Sequence, residues 1–199
     1  MPKIEKVPLT TFVDFVLKSG TPKLTVVQNF KNRPAYDPAT DFYKPLREAI
    51  VRHHQKGEPK KALDAFVATC NPKKQGHYSA VVSGYKKFLG GNTIGWFAPP
   101  TATWSAGGIP VSVNPELGLT IGGVNHVIKM YFKGEKLASN RMEVINHLMK
   151  LTLADPSTPV EFGVVDMRKS KLHTTKGNAA LTALLMGEAA SFAAMLSSL

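Results

Sequence analysis

The chain has 199 residues, 43% of them hydrophobic, which is enough to bury one compact core and excludes both disorder and a disulfide-stapled mini-protein. Cys70 is the only cysteine, so an intramolecular disulfide and a cysteine-based zinc site are both excluded; the N-terminus MPKIEKVPLT lacks the apolar run of a secretory signal, and a cytoplasmic protein without a membrane span is expected. Lysine and arginine number 25 against 14 acids, a net charge of +11, and residues 1–100 alone carry 16 basic and 7 acidic side chains, which favours a polyanionic partner, DNA or RNA.

In chain order, residues 1–92 predict a helical, basic region. In TTFVDFVLKSG, Phe12, Phe15 and Val16 share one face, a threonine serves as cap and Gly20 ends the helix. Thr21 and Pro22 restart a helix, with Leu24, Val27 and Phe30 inward. After the Pro34–Pro38 link, a helix runs from about Pro45 to Gln55 with Leu46, Ala49 and Ile50 inward. Pro59 opens another that carries Ala62, Leu63, Phe66, Val67 and Cys70. Tyr78, Val81, Val82, Tyr85, Phe88 and Leu89 form the clearest stripe, ended by Gly90 and Gly91.

Residues 93–199 predict a mixed-sheet core and a C-terminal helix, the two regions forming one compact unit. Strands are expected through Trp96 and Phe97, and from Ile109 to Val113. A helix then carries Ile145, Leu148 and Met149 inward, capped by Ser139 or Asn140; with Asn140 as cap, Glu143 completes a capping box. Pro159–Val165 reads as a strand. Asn178–Leu199 reads as a buried final helix whose Ala179, Ala183, Gly187 and Ala190 form a small-residue line that another helix, in the chain or across a homodimer axis, can approach.

PELGLTIGGVNHVIKMYFK, residues 115–133, predicts a hairpin with Gly122 and Gly123 as its two-residue turn. Leu117 then faces Ile128, Leu119 faces His126, and Glu116 faces Lys129. Leu117, Leu119, Ile121, Val124, His126, Ile128, Met130 and Phe132 share an apolar face, and Glu116, Gly118, Thr120, Asn125, Val127, Lys129, Tyr131 and Lys133 share a polar one.

The order of helix, three strands, helix and strand, taken as the Tyr78 helix, the Ile109 strand, the hairpin, the Ile145 helix and the Phe162 strand, resembles the core of the PD-(D/E)XK nuclease superfamily, the restriction-endonuclease-like fold. The resemblance covers about half of the chain. It implies an acid on the second strand and an acid-x-lysine on the third that hold Mg2+ and orient water, which places Glu116 and Lys129 as catalytic residues if the chain is a nuclease. The pattern is degenerate, because Val127 stands where the acid two residues before Lys129 belongs and His77–Leu89 has no acid. Glu161 and Asp166 are the candidates for a migrated acid, and a single carboxylate beside a lysine is more readily a salt bridge than a magnesium site.

MRKSKLHTTK brings Arg168, Lys169, Lys171 and Lys176 together after a strand, and Lys86 and Lys87 end the Tyr78 helix; these six are the candidate nucleic-acid contacts. No metal site is expected: His53 and His54 point about 100° apart on a helix, and Cys70 and His77 have no further soft ligand nearby. Trp96, Phe97 and Trp104 either stack on bases or close the core. Together these features predict an α+β protein that binds nucleic-acid phosphates without catalysis and without a cofactor. The alternatives are a Mg2+-dependent nuclease with a rearranged acid set and a protein-interaction or assembly subunit.

Overall fold

The computed structural model describes residues 5–35, 37, 39–175 and 177–199. The protein is α+β. Its elements in order are β1 (Val7–Pro8), α1 (Leu9–Val16), α2 (Thr21–Lys31), α3 (Lys44–Gln55), α4 (Lys61–Thr69), α5 (Pro72–Leu89), β2 (Ile94–Phe97), β3 (Ala102–Ala106) and β4 (Ile109–Val113). They continue with β5 (Leu117–Ile121), β6 (Val124–Tyr131), α6 (Ser139–Leu153), β7 (Glu161–Asp166), β8 (Lys171–Thr174) and α7 (Ala179–Ser198).

Two sheets form rather than one. The larger is five-stranded in the order β2-β5-β6-β7-β8, and the smaller is three-stranded in the order β1-β4-β3. The β5–β6 register places Leu117 opposite Ile128, Leu119 opposite His126 and Ile121 opposite Val124, with Gly122 and Gly123 at φ 58° and 83° in the turn. Such angles suit glycine, and the expected register is the one found. β6 and β7 are parallel, so the chain must cross over between them, and α6 makes that crossing.

The Ile109 strand was expected beside this hairpin and instead belongs to the smaller sheet, paired with β3 through the Gly107–Gly108 turn and with β1 in parallel. The sequence ATWSA carries little β-branched character, so β3 leaves no strand signal before the fold is known. β8 likewise runs through the basic segment KLHT, which reads as a loop.

The larger sheet is covered on both faces. On one side Leu117, Leu119, Ile128, Met130, Phe132, Val165 and Met167 pack with α3, α4 and α5 through Leu46, Ile50, Leu63, Tyr78 and Tyr85. On the other side Val127, Tyr131, Phe162 and Val164 pack with α1, α2, α6, α7 and the smaller sheet. Residues 1–92 therefore contribute to both cores. The hairpin face expected to be polar is solvated only toward its tip, where Thr120 Oγ1 donates to Asn125 Oδ1 at 2.7 Å. Nearer the base, Val127 is fully buried and Lys129 and Tyr131 are 8% and 9% exposed, because α6 lies over them.

Helix ends follow local chemistry in part. Asn71 and Asn178 cap α5 and α7 by accepting from Lys73 N and Ala180 N, and Gly90 ends α5 at φ 54°. The Asn140–Glu143 capping box does not form: Ala138 is the cap residue of α6, and Asn140 lies inside the first turn. α7 is the larger correction, since only Leu185, Ala189 and Phe192 are buried. It rests on α1, α2, α6 and the smaller sheet through one face, with Glu188 bound to Lys23 at 2.5 Å. Along the small-residue line, a Cβ on Gly107 would meet the backbone of Ala189 and Ala190, so the β3–β4 turn is what approaches closely there; a Cβ on Gly187 would meet nothing within 4 Å. By length and composition α7 is apolar enough to cross a membrane, with an 18-residue window of mean hydropathy 1.6 of which 17% is buried.

Gly84 of α5 lies against the main chain of Met167 and Arg168, where a Cβ would sit 2.2 Å from the Met167 carbonyl oxygen. Gly84→Ala is expected to destabilise the fold by about 1–3 kcal/mol in urea unfolding, and an unchanged midpoint would show that α5 is not held this closely. Under α5, His54 Nε2 and Tyr85 Oη are 2.5 Å apart, and burial, with His53 adding to it, pushes the His54 imidazole from 6.5 down to about 4. The unfolded chain then takes up this proton first, so the stability present above pH 6.5 falls progressively as pH drops toward 4. His54→Gln is expected to flatten part of that decline, measured as the urea midpoint across pH 7 to 4.

Candidate functional site

β6 is the central strand of the larger sheet, so a lysine on it must bring its own partners. Lys129 Nζ donates to Glu116 Oε1 at 2.6 Å and to the Asn114 carbonyl at 3.0 Å. The other carboxylate oxygen of Glu116 accepts from Met130 N at 2.8 Å. Glu116 lies just before β5, and its own amide donates to Ile128 O, one residue out of the hairpin register. The Glu116 carboxylate thus takes over from the β5 backbone as acceptor for β6. The side chains of Lys129 and Glu116 are 10% and 12% exposed, so the pair is a largely buried charge cluster, not a surface salt bridge.

This cluster forms the floor of a cleft of about 760 Å3 between α1, α6 and the chain entering α3. Two further pairs line its walls. Arg141 of α6 binds Asp14 of α1 at 2.6 Å, and Arg47 of α3 binds Asp41 at 2.6 Å. Asp41 also fixes the entry to α3 by accepting from Tyr43 N and Lys44 N. Tyr131 lines the same cleft, its phenol pushed up by burial, with Arg141 pulling the other way. Lys133 lines the same cleft and is exposed.

The candidate basic residues separate. Arg168 follows β7 and binds two residues of the cleft lining without being part of it: Nε donates to Phe132 O at 3.1 Å and Nη2 to Tyr43 Oη at 3.3 Å, while Tyr43 stacks on Phe132 at 4.9 Å between centroids. Asp166, 2% exposed, accepts from the Arg168 and Lys169 amides and so fixes the turn that aims Arg168. Lys169 Nζ stands 3.9 Å from Asp166, and Lys171 is exposed at the start of β8. Lys86 is turned onto α4, where it binds Asp64 at 2.6 Å; Lys87 is exposed. Lys176 lies outside the described residues.

The migrated-acid candidates stay away from the pair. Glu161 is opposite His126 at one end of β7, Asp166 is opposite Tyr131 at the other, and neither lines the cleft. Val127 points into the apolar core. Among the described residues no group of three His, Cys, Asp or Glu side chains is arranged to hold a metal. Trp104 is buried against Phe12, while Phe97 sits over Gly118 and Trp96 stacks on His54, both half-buried. The sequence did not single out Asp14, Asp41, Arg47 or Arg141, which come from α1, α3 and its entry, and α6; no local pattern links them.

Lys129→Met leaves Glu116 largely buried without its cation and is expected to cost roughly 3 kcal/mol, while Glu116→Leu with Lys129→Met should recover much of that loss. A double-mutant cycle in urea checks this; a coupling near zero would mean that the pair behaves as a solvated surface bridge.

Comparison of the chain with known protein families, with curated proteins and with solved structures finds no match in any of the three.

Proposed function

We propose that the chain binds the phosphate backbone of a nucleic acid across the mouth of this cleft, without cleaving it. The observation that carries this reading is Arg168. Its guanidinium is held by the carbonyl of Phe132 and the hydroxyl of Tyr43, two residues of the cleft lining, and has no carboxylate partner among the described residues. An arginine fork oriented by neutral acceptors keeps its positive charge and spare N–H groups for a phosphate. Lys133 on the opposite side of Phe132 in sequence, exposed and without an acidic partner among the described residues, adds a second cation at the same rim. The net charge of +11 supplies the long-range attraction.

The fold is read as a degenerate PD-(D/E)XK-like core. Supporting this, α5 precedes β2, β5 and β6 of one sheet, and α6 and β7 follow, with the β3–β4 hairpin inserted. The lone Glu116 of that pattern is occupied by Lys129 and Met130 N, which favours a binding role over metal-assisted hydrolysis.

Binding of fluorescein-labelled DNA, measured by anisotropy across 25–300 mM salt, is expected to weaken linearly on a log–log plot. Arg168→Ala should reduce the slope by about 1. No binding at the lowest salt would sink the proposal, and Mg2+-dependent nicking of plasmid that Glu116→Ala abolishes would replace it with the nuclease reading.

A further inference from the structure

We infer that the strand held at this rim is single-stranded, and that Phe42 is the surface on which one of its bases stacks. The inference rests on the phosphate-binding reading above and adds to it the kind of nucleic acid.

Phe42 is the only Phe, Tyr or Trp among the described residues that is exposed, at 37%. It lies between Asp41 and Tyr43, both of which line the cleft, and is not itself part of that lining. It is also fixed in place. Asp41 accepts from the Tyr43 amide across it, and the Phe42 carbonyl accepts from Tyr78 Oη at 2.5 Å. Three rings meet Phe42 nearly at right angles: Tyr43 at 4.8 Å and 78°, His77 at 5.5 Å and 89°, and Tyr78 at 5.7 Å and 80° between centroids. A large ring left partly in water but held on several sides has little freedom left to lose when something flat packs against it.

The cations around Phe42 complete the pattern. Lys74 Nζ lies 5.3 Å from its ring centroid, and Arg168 Nη2 lies 3.4 Å from Nδ1 of His77, whose ring contacts Phe42. Cations and an aromatic ring therefore lie within a short distance of one another beside Tyr43, which lines the cleft. That arrangement matches a strand whose bases are free to turn out while its phosphates follow the cations. A duplex keeps its base faces stacked inside and can use only the cations, so Phe42 would add nothing to its binding.

The test compares a fluorescein-labelled 15-nucleotide single strand with the same sequence as a duplex, at one salt concentration, for the wild type, Phe42→Ala, Phe42→Leu and Phe42→Trp. The single strand is expected to bind at least 10-fold tighter than the duplex. Phe42→Ala and Phe42→Leu should each weaken single-strand binding about 5- to 100-fold and leave duplex binding and the salt slope unchanged. Phe42→Trp should retain single-strand affinity and show indole quenching on binding. Equal affinity for strand and duplex overturns this inference while leaving the phosphate-binding reading intact. Equal losses for both ligands in Phe42→Ala and Phe42→Leu also overturn it, because they indicate that the ring only supports the fold. Failure of the wild type to bind either ligand overturns both proposals.

Discussion

The structure depends on an ammonium group placed in the middle of a sheet covered on both faces. β6 runs between β5 and β7, and its side chains enter two cores, so Lys129 cannot be left unpaired without a heavy desolvation cost. The chain meets this by bringing the Asn114 carbonyl and the Glu116 carboxylate to the same nitrogen and by spending the second Glu116 oxygen on the Met130 amide. That arrangement fixes residues 114–116, the link between β4 of the smaller sheet and β5 of the larger. The cleft floor is therefore also the joint between the two sheets.

Around that floor, charge is neutralised in pairs between different elements, Asp14 with Arg141 and Asp41 with Arg47. Each pair ties two helices or a helix and its entry across the cleft walls. Arg168 is the exception, since carbonyl and hydroxyl oxygens orient it without cancelling its charge. Its position is secured from beneath by Gly84, where α5 comes into contact with the Met167–Arg168 main chain, and by Asp166, which holds the turn through two amides. Packing of α5 and the direction of the rim cation are thus one structural problem, solved by a glycine and a buried aspartate.

Contacts between residues close in sequence were legible before the fold was known. The Gly122–Gly123 turn set the hairpin register, which in turn set Glu116 near Lys129, and the stripe from Tyr78 to Leu89 with its Gly90 stop placed α5. β3 and β8 were hidden because ATWSA and KLHT lack strand-like composition and become strands only by pairing with β4 and β7. The expected capping box failed because α6 begins at Ser139, one residue before the proposed cap. The alanine-rich α7 was expected to be buried on hydropathy alone, yet only one face of it meets the rest of the chain.

By itself the sequence determined the local pairings, the helix stops and the charge of the protein, because turn geometry, periodicity and composition act over a few residues. Only the tertiary structure decided which faces are buried and which charges meet. The hairpin side carrying Val127, Lys129 and Tyr131 has a polar composition in part and is nevertheless covered, since burial depends on α6 crossing over it. Asp14, Asp41, Arg47 and Arg141 have no sequence relation to Glu116, and their gathering into one cleft follows from how α1, α3 and α6 pack around the two sheets. The same packing leaves Phe42 at the surface next to Tyr43, whose hydroxyl Arg168 Nη2 reaches, a juxtaposition across more than a hundred residues that no local pattern encodes.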